Sequence, residues 1–149
     1  MKPLIVLIGT FLVFALILKV FKRNLELQLA GRIAMSCILV FTAIGHFAFM
    51  QGMEAMVPSF IPFKKAVVLI TGIMEVLFAI GFLLPQYQKQ MACLLIAFFI
   101  LILPANIKAA LEEINYQTGE MNGPGIHYLW FRVPLQFFFM LWVYFASIR

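Results

Sequence analysis

Five apolar stretches divide this chain, running from about Pro3 to Phe21, Ala30 to Met50, Ala66 to Leu84, Met91 to Leu111 and Tyr128 to Ile148. A helix needs about 20 apolar residues to cross a hydrocarbon layer roughly 30 Å thick, and each stretch has about that length. In lipid every backbone N–H and C=O must be bonded within its own segment, so each stretch is predicted to be a helix. A membrane barrel gets no support, because its strands alternate apolar and polar residues. The expected fold class is therefore all-α, a polytopic membrane helical bundle. Composition agrees: 64% of the 149 residues are apolar and 11% are charged, where a soluble domain has about 45–50% and 25%. That balance excludes a disordered chain, a disulfide-stapled secreted domain and an ordinary cytosolic enzyme.

The net charge of +5 does not point to nucleic acid. The basic residues punctuate the apolar runs, as they do beside membrane spans. The first run follows Lys2 and meets Lys19, Lys22 and Arg23 with no small-x-small cleavage site, so it is expected to be an uncleaved anchor rather than a signal peptide. One end of the bundle collects Lys19, Lys22, Arg23, Arg32, Lys89 and Arg149, and the other collects Lys2, Lys64, Lys65 and Lys108. The excess marks the cytoplasmic side, which predicts an N-terminus outside and a C-terminus inside. Of the outer connections, Gln51 to Phe63 is too apolar for a solvated loop, too short to span, and interrupted by Pro58 and Pro62. It is expected to be interfacial or re-entrant. Glu112 to His127, with Gly119, Gly123, Pro124 and Gly125, is expected to be a true loop.

A charged side chain at the bilayer centre costs about 2.5–3.5 kcal/mol on insertion scales, so each polar residue inside a span needs a reason. Glu75 lies in the third span, and Arg132 and Gln136 lie four apart in the fifth. Pro104 and Asn106 interrupt the fourth span, with Lys108 beyond. His46 lies near the outer end of the second span and Arg32 near its inner end. Helical spacing places Arg32, Ser36, Ala43 and His46 on one stripe, and Thr71, Gly72, Glu75 and Ala79 on another, where small residues permit close approach. At about 1.5 Å per residue, His46, Glu75, Asn106, Lys108, His127, Arg132 and Gln136 are expected to converge on one outward-opening pocket below Glu54. The first span, with no buried polar residue, is expected to be peripheral. A structural explanation stands beside this one: Glu75 and Arg132 pair to fix helix register, His46 is a hydrogen-bonded helix-end histidine, and an amide satisfies the carbonyl freed at Pro104.

No metal-ligand spacing links His46, His127, Glu54 and Glu75, and no metal site is expected. Cys37 and Cys93 lie apart, form no redox dithiol, and are expected to behave as small buried apolar residues. The phenylalanines are expected to face lipid for the most part, and Trp130, Trp142 and Tyr144 to be interfacial anchors.

The segments GRIAMSCILVFTAIGHF, MVPSFIP, TGIMEVLFAIGFLLP, PANIKAAL and LWFRVPLQ, in this order between Arg32 and Tyr144, resemble the DoxX family of small bacterial membrane proteins. The resemblance implies a four-helix core, here residues 30–149 with the re-entrant segment near 51–63 inside it, and the chain departs from the family by adding one N-terminal transmembrane helix within residues 1–29. It also implies a bacterial cytoplasmic (inner) membrane location. The family takes its name from a subunit of a thiosulfate:quinone oxidoreductase. This suggests a subunit of a membrane redox system binding a quinone or similar lipophile at His46, Glu75, Asn106, Arg132 and Gln136. Arg132 and His46 would bond carbonyl oxygens, Glu75 would relay protons, and a redox partner protein would supply electrons. A non-catalytic scaffold or chaperone locked by a Glu75–Arg132 pair is the alternative. A further one is an isomerase-like protein using His46 and Glu75 as acid and base. A homo-oligomer is compatible with each.

Overall fold

The structure, a computed structural model, describes residues 2–22 and 26–149. Arg23, part of the expected stop after the first span, and the side chains of Lys2 and Lys22 lie outside the described part. Helices α1 (Lys2–Lys22), α2 (Leu27–Ala48), α3 (Met50–Met56), α4 (Lys64–Leu83), α5 (Gln88–Leu111) and α6 (Leu129–Val143) follow one another, with no strand among the described residues. A 3₁₀ turn, Ile126–Tyr128, leads into α6, and a π-helical turn, Tyr144–Ile148, extends it. Five segments are long and apolar enough to cross a membrane: α1, α2, α4, α5 and α6 with its flanking turns. The chain is a multi-pass membrane protein.

Helices α4 and α5 run in opposite directions because the connection between them is short. The turn after α4 closes within four residues through a bond from Tyr87 N to Leu84 O. Small residues set the spacing along the seams. On α4, a Cβ at Gly72 would lie 2.9 Å from the Cβ of His46 on α2. This is the close approach expected from the Thr71-Gly72-Glu75-Ala79 stripe, of which Gly72, Glu75 and Ala79 are buried. At the opposite end Gly31 of α2 lies against Ala146 and Trp142, whose indole N–H donates to Gly31 O at 3.0 Å. Trp142 is thus a helix clamp rather than an anchor, whereas Trp130 is 84% exposed.

The core runs between α2, α4, α5 and α6 and holds Met35, Leu39, Phe82, Leu95 and Val143 fully buried. Phe78, Phe98 and Phe99 join it as a chain of edge and tilted ring contacts 5.5–6.4 Å apart. These four phenylalanines therefore build the interior, in contrast to exposed Phe21, Phe41, Phe47 and Phe137. Core filling between four helices takes large apolar side chains, and sequence hydropathy does not separate that use from lipid contact. Cys37 and Cys93 are both exposed on the bundle exterior, not buried as expected. Helix α1 packs on α2 along one edge. Only 6% of its span is buried, but Leu7 is fully buried and Phe11 meets Trp142 edge-on at 5.0 Å.

The end of the bundle bearing α3 is capped. The expected interfacial segment is a short helix, α3, followed by a turn through Pro58 and Pro62 that leaves Phe60 81% exposed and Phe63 84% exposed. The loop after α5 folds over it. Gly119 and Gly125 take the left-handed conformations (φ 80° and 70°) that this loop turns on. Gly52 of α3 lies so close to the Tyr116 backbone that any Cβ there would overlap the Tyr116 carbonyl.

Candidate polar site of the bundle

The first polar group joins α2 to α4. A ring nitrogen of His46, Nδ1, lies 3.2 Å from Val68 O and 3.2 Å from Thr71 Oγ1. The Thr71 hydroxyl donates its own proton back to Val67 O or Val68 O. Val68 O can only accept, so Nδ1 carries a proton. Nε2 then faces Glu75 Oε2 at 3.6 Å. Glu75 is buried on α4, and Oε2 has no hydrogen-bond partner. The approach sets the buried carboxyl group beside a polar side chain rather than against lipid, where an isolated carboxyl group is costly.

The second group joins α5 to α6. Arg132 Nε donates to Asn106 Oδ1 at 3.0 Å, Asn106 Nδ2 donates to Gln136 Oε1 at 3.1 Å, and Gln136 Nε2 donates to Phe99 O. A guanidinium only donates and a backbone carbonyl only accepts, so both amide orientations are forced. Asn106 and Gln136 are buried, and Arg132 is half-buried with its guanidinium 5.9 Å from the Tyr128 ring centre. Pro104 has no N–H to give the carbonyl of Ile100 and loosens the α5 ladder there. The amide that bonds an α5 carbonyl at this level is that of Gln136, from the neighbouring helix, and it takes Phe99 O, the carbonyl next to the freed one.

Lys108, two residues beyond Asn106, serves the cap. Its ammonium donates to Ala55 O at 2.8 Å and Val57 O at 3.0 Å, closing the carbonyl end of α3, and lies 3.6 Å from Glu112. A cavity of about 30 Å³ lies beneath the cap, lined by Asn106, Arg132, Tyr128, Met56 and Tyr116 among others. That is the volume of about one water. A larger open groove of about 660 Å³ beside the α4–α5 turn is lined by Pro85, Gln88, Lys89 and Cys93. It contains none of these polar residues, and its openness makes it a surface depression rather than a site.

The structure therefore divides the expected single pocket into two. Asn106 and Arg132 line the capped cavity with Gln136 behind them, while His46 and Glu75 form a separate pair and do not line it. No Glu75–Arg132 ion pair exists among the described residues: Glu75 faces His46, and Arg132 is held by Asn106. The physical reason is helix adjacency. Gly72 brings α4 against α2 at the level of His46, and Arg132 sits on a helix paired with α5. His127, on the 3₁₀ turn, is exposed and belongs to neither group, and Glu54 is half-buried on α3. Arg32 and Ser36, at the other end of the α2 stripe, each hold a buried polar atom without a partner. The residues overlooked in sequence are Thr71 as a histidine partner and Tyr128 beneath the guanidinium. A threonine four residues before Glu75 and a tyrosine four before Arg132 are the signals that pointed to them.

Five spans, a capped end and two interior polar groups define a multi-pass helical membrane bundle with a guarded polar site. Within that class the chain belongs to the family described as Domain of unknown function (DUF8561), which matches residues 35–147. No curated protein and no solved structure matches it.

Proposed function

We propose that this protein is a DoxX-like membrane subunit that holds the polar head of a lipophile, a quinone or a similar molecule, at Arg132, Asn106 and Gln136. The observation carrying this is a guanidinium inside an apolar bundle whose hydrogen-bonding partner, among the described residues, is an amide and not a carboxylate. Ionisable groups in spans are functional by default, and an apolar cavity with a few convergent polar groups is what a lipophilic ligand requires. The chain takes the N-out, C-in orientation in a bacterial inner membrane, which puts the cap in the outer leaflet. Electrons, where the ligand is a quinone, come from a partner protein. The cavity holds one water's volume, so a quinone ring enters only when α3 and the loop after α5 move apart. Quinone binding to purified protein tests the reading. Short-chain quinone should bind the native chain and bind Arg132→Ala at least about tenfold more weakly; equal affinity overturns the site.

A second reading is favoured by a different observation. Each amide of the Asn106–Gln136 pair both donates and accepts, as expected of a lock that fixes the α5–α6 seam of a non-catalytic scaffold. In a double-mutant cycle, a lock shows Asn106→Ala and Gln136→Ala strongly coupled in stability with no ligand effect.

A further inference from the structure

Among the described residues the interior cation Arg132 has no protein counter-ion. Among the described residues the hydrogen bond of Arg132 is the one from Nε to Asn106, whereas a guanidinium has five N–H donors arranged to grip two oxygens at once. The carboxylates of the chain are occupied elsewhere or stand outside the cavity. Glu75 faces His46, Glu112 lies by Lys108, Glu120 accepts from Asn122, Glu113 is exposed, and Glu26 lies at the opposite end. Glu54 does not line the cavity. The cavity beside Arg132 is about 30 Å³. It has room for one small planar polar group and not for a ring.

From these facts we infer that the ligand at Arg132 is an acyl chain bearing a carboxylate, such as a free long-chain fatty acid. Its head would lie in the capped cavity on the guanidinium, and its tail would run out along the apolar bundle surface. This rests on the lipophile reading above and narrows it to an anionic head. The carboxylate supplies the negative charge the site lacks, and its two oxygens match the planar fork of arginine better than a single quinone carbonyl does. A phospholipid phosphate carries the same anionic oxygens, but it is bulkier and joined to a headgroup and two chains, which the cavity does not admit.

The test uses purified full-length protein and four probes: oleate, methyl oleate, a short-chain quinone and phosphatidylglycerol. Binding is measured by equilibrium dialysis or native mass spectrometry on the native chain, Arg132→Gln and Arg132→Lys. Oleate should bind at least about tenfold tighter than its methyl ester. It should lose that advantage in Arg132→Gln and keep part of it in Arg132→Lys, which retains the charge but not the fork. The comparison of acid with ester needs no variant, so it stands even where Arg132→Gln fails to fold. Equal binding of acid and ester overturns the inference, as does a preference for phosphatidylglycerol. Quinone binding that depends on Arg132, with no oleate binding, overturns the carboxylate head and leaves the lipophile reading intact. No binding of any probe overturns both.

Discussion

At the scale of single residues, the His46–Glu75 pair makes the sharpest claim. Nδ1 is committed to Val68 O and Thr71, so Nε2 is the ring nitrogen that faces Glu75 Oε2, at 3.6 Å. Removing the histidine leaves a buried carboxyl group alone. Neutralising the carboxyl group leaves a histidine still held by Val68 O. His46→Ala should therefore destabilise more than Glu75→Gln, by about 3 kcal/mol against about 1, measured as unfolding in mixed micelles. A larger loss in Glu75→Gln would show that the carboxyl group, not the bond of His46 to Val68 O, holds the seam. Which polar residues lie inside the bundle was legible in the sequence, because the cost of polar atoms in lipid singles out Glu75, Asn106, Arg132 and Gln136 directly. Which residue meets which was not. Spacing places a side chain on a face of its own helix and says nothing about the helix opposite. Thus Glu75 was matched by charge with Arg132, while the fold matches it by adjacency with His46.

At the scale of elements, the seams and the cap depend on a few small or long side chains. Gly72→Val would place methyl groups where His46 already stands. The expected outcome is separation of α2 from α4, with a cost of about 1–3 kcal/mol and loss of the protection of the Val68 region in hydrogen exchange. A variant as stable as the native chain would mean that the seam is not set there. The cap depends on Lys108. Lys108→Met removes both donors to the end of α3 and preserves the length of the apolar stem. Backbone amides of residues 50–57 should then exchange faster by at least about tenfold, a loss of roughly 1.4 kcal/mol of protection, while the α2 and α4 cores are unchanged. The span boundaries were readable to within a few residues because bilayer thickness sets the length of an apolar run. The short helix α3 was not readable, since seven residues carry too little periodicity to separate helix from turn. Its end is fixed by a lysine 52 positions beyond Met56, on α5.

At the scale of the whole molecule, charge placement decides which way the capped site faces. The proposed orientation rests on six basic residues at the open end against four at the capped end, a difference small enough to be cancelled. Lys89 and Arg149 are exposed, and neither has a partner in the polar groups above. Changing both to glutamine should not disturb the packing, and it brings the two ends level. Orientation follows the lysine and arginine bias of short connections rather than net charge, so the double variant should insert both ways. In the native chain a C-terminal fluorescent protein should fold and glow, and a C-terminal alkaline phosphatase, active only outside, should be silent. In the double variant both reporters should give signal. A native chain with an active C-terminal phosphatase would reverse the orientation and place the cavity at Arg132 in the inner leaflet. The cap would then face the cytoplasm, and any partner that opens it would have to be sought on that side.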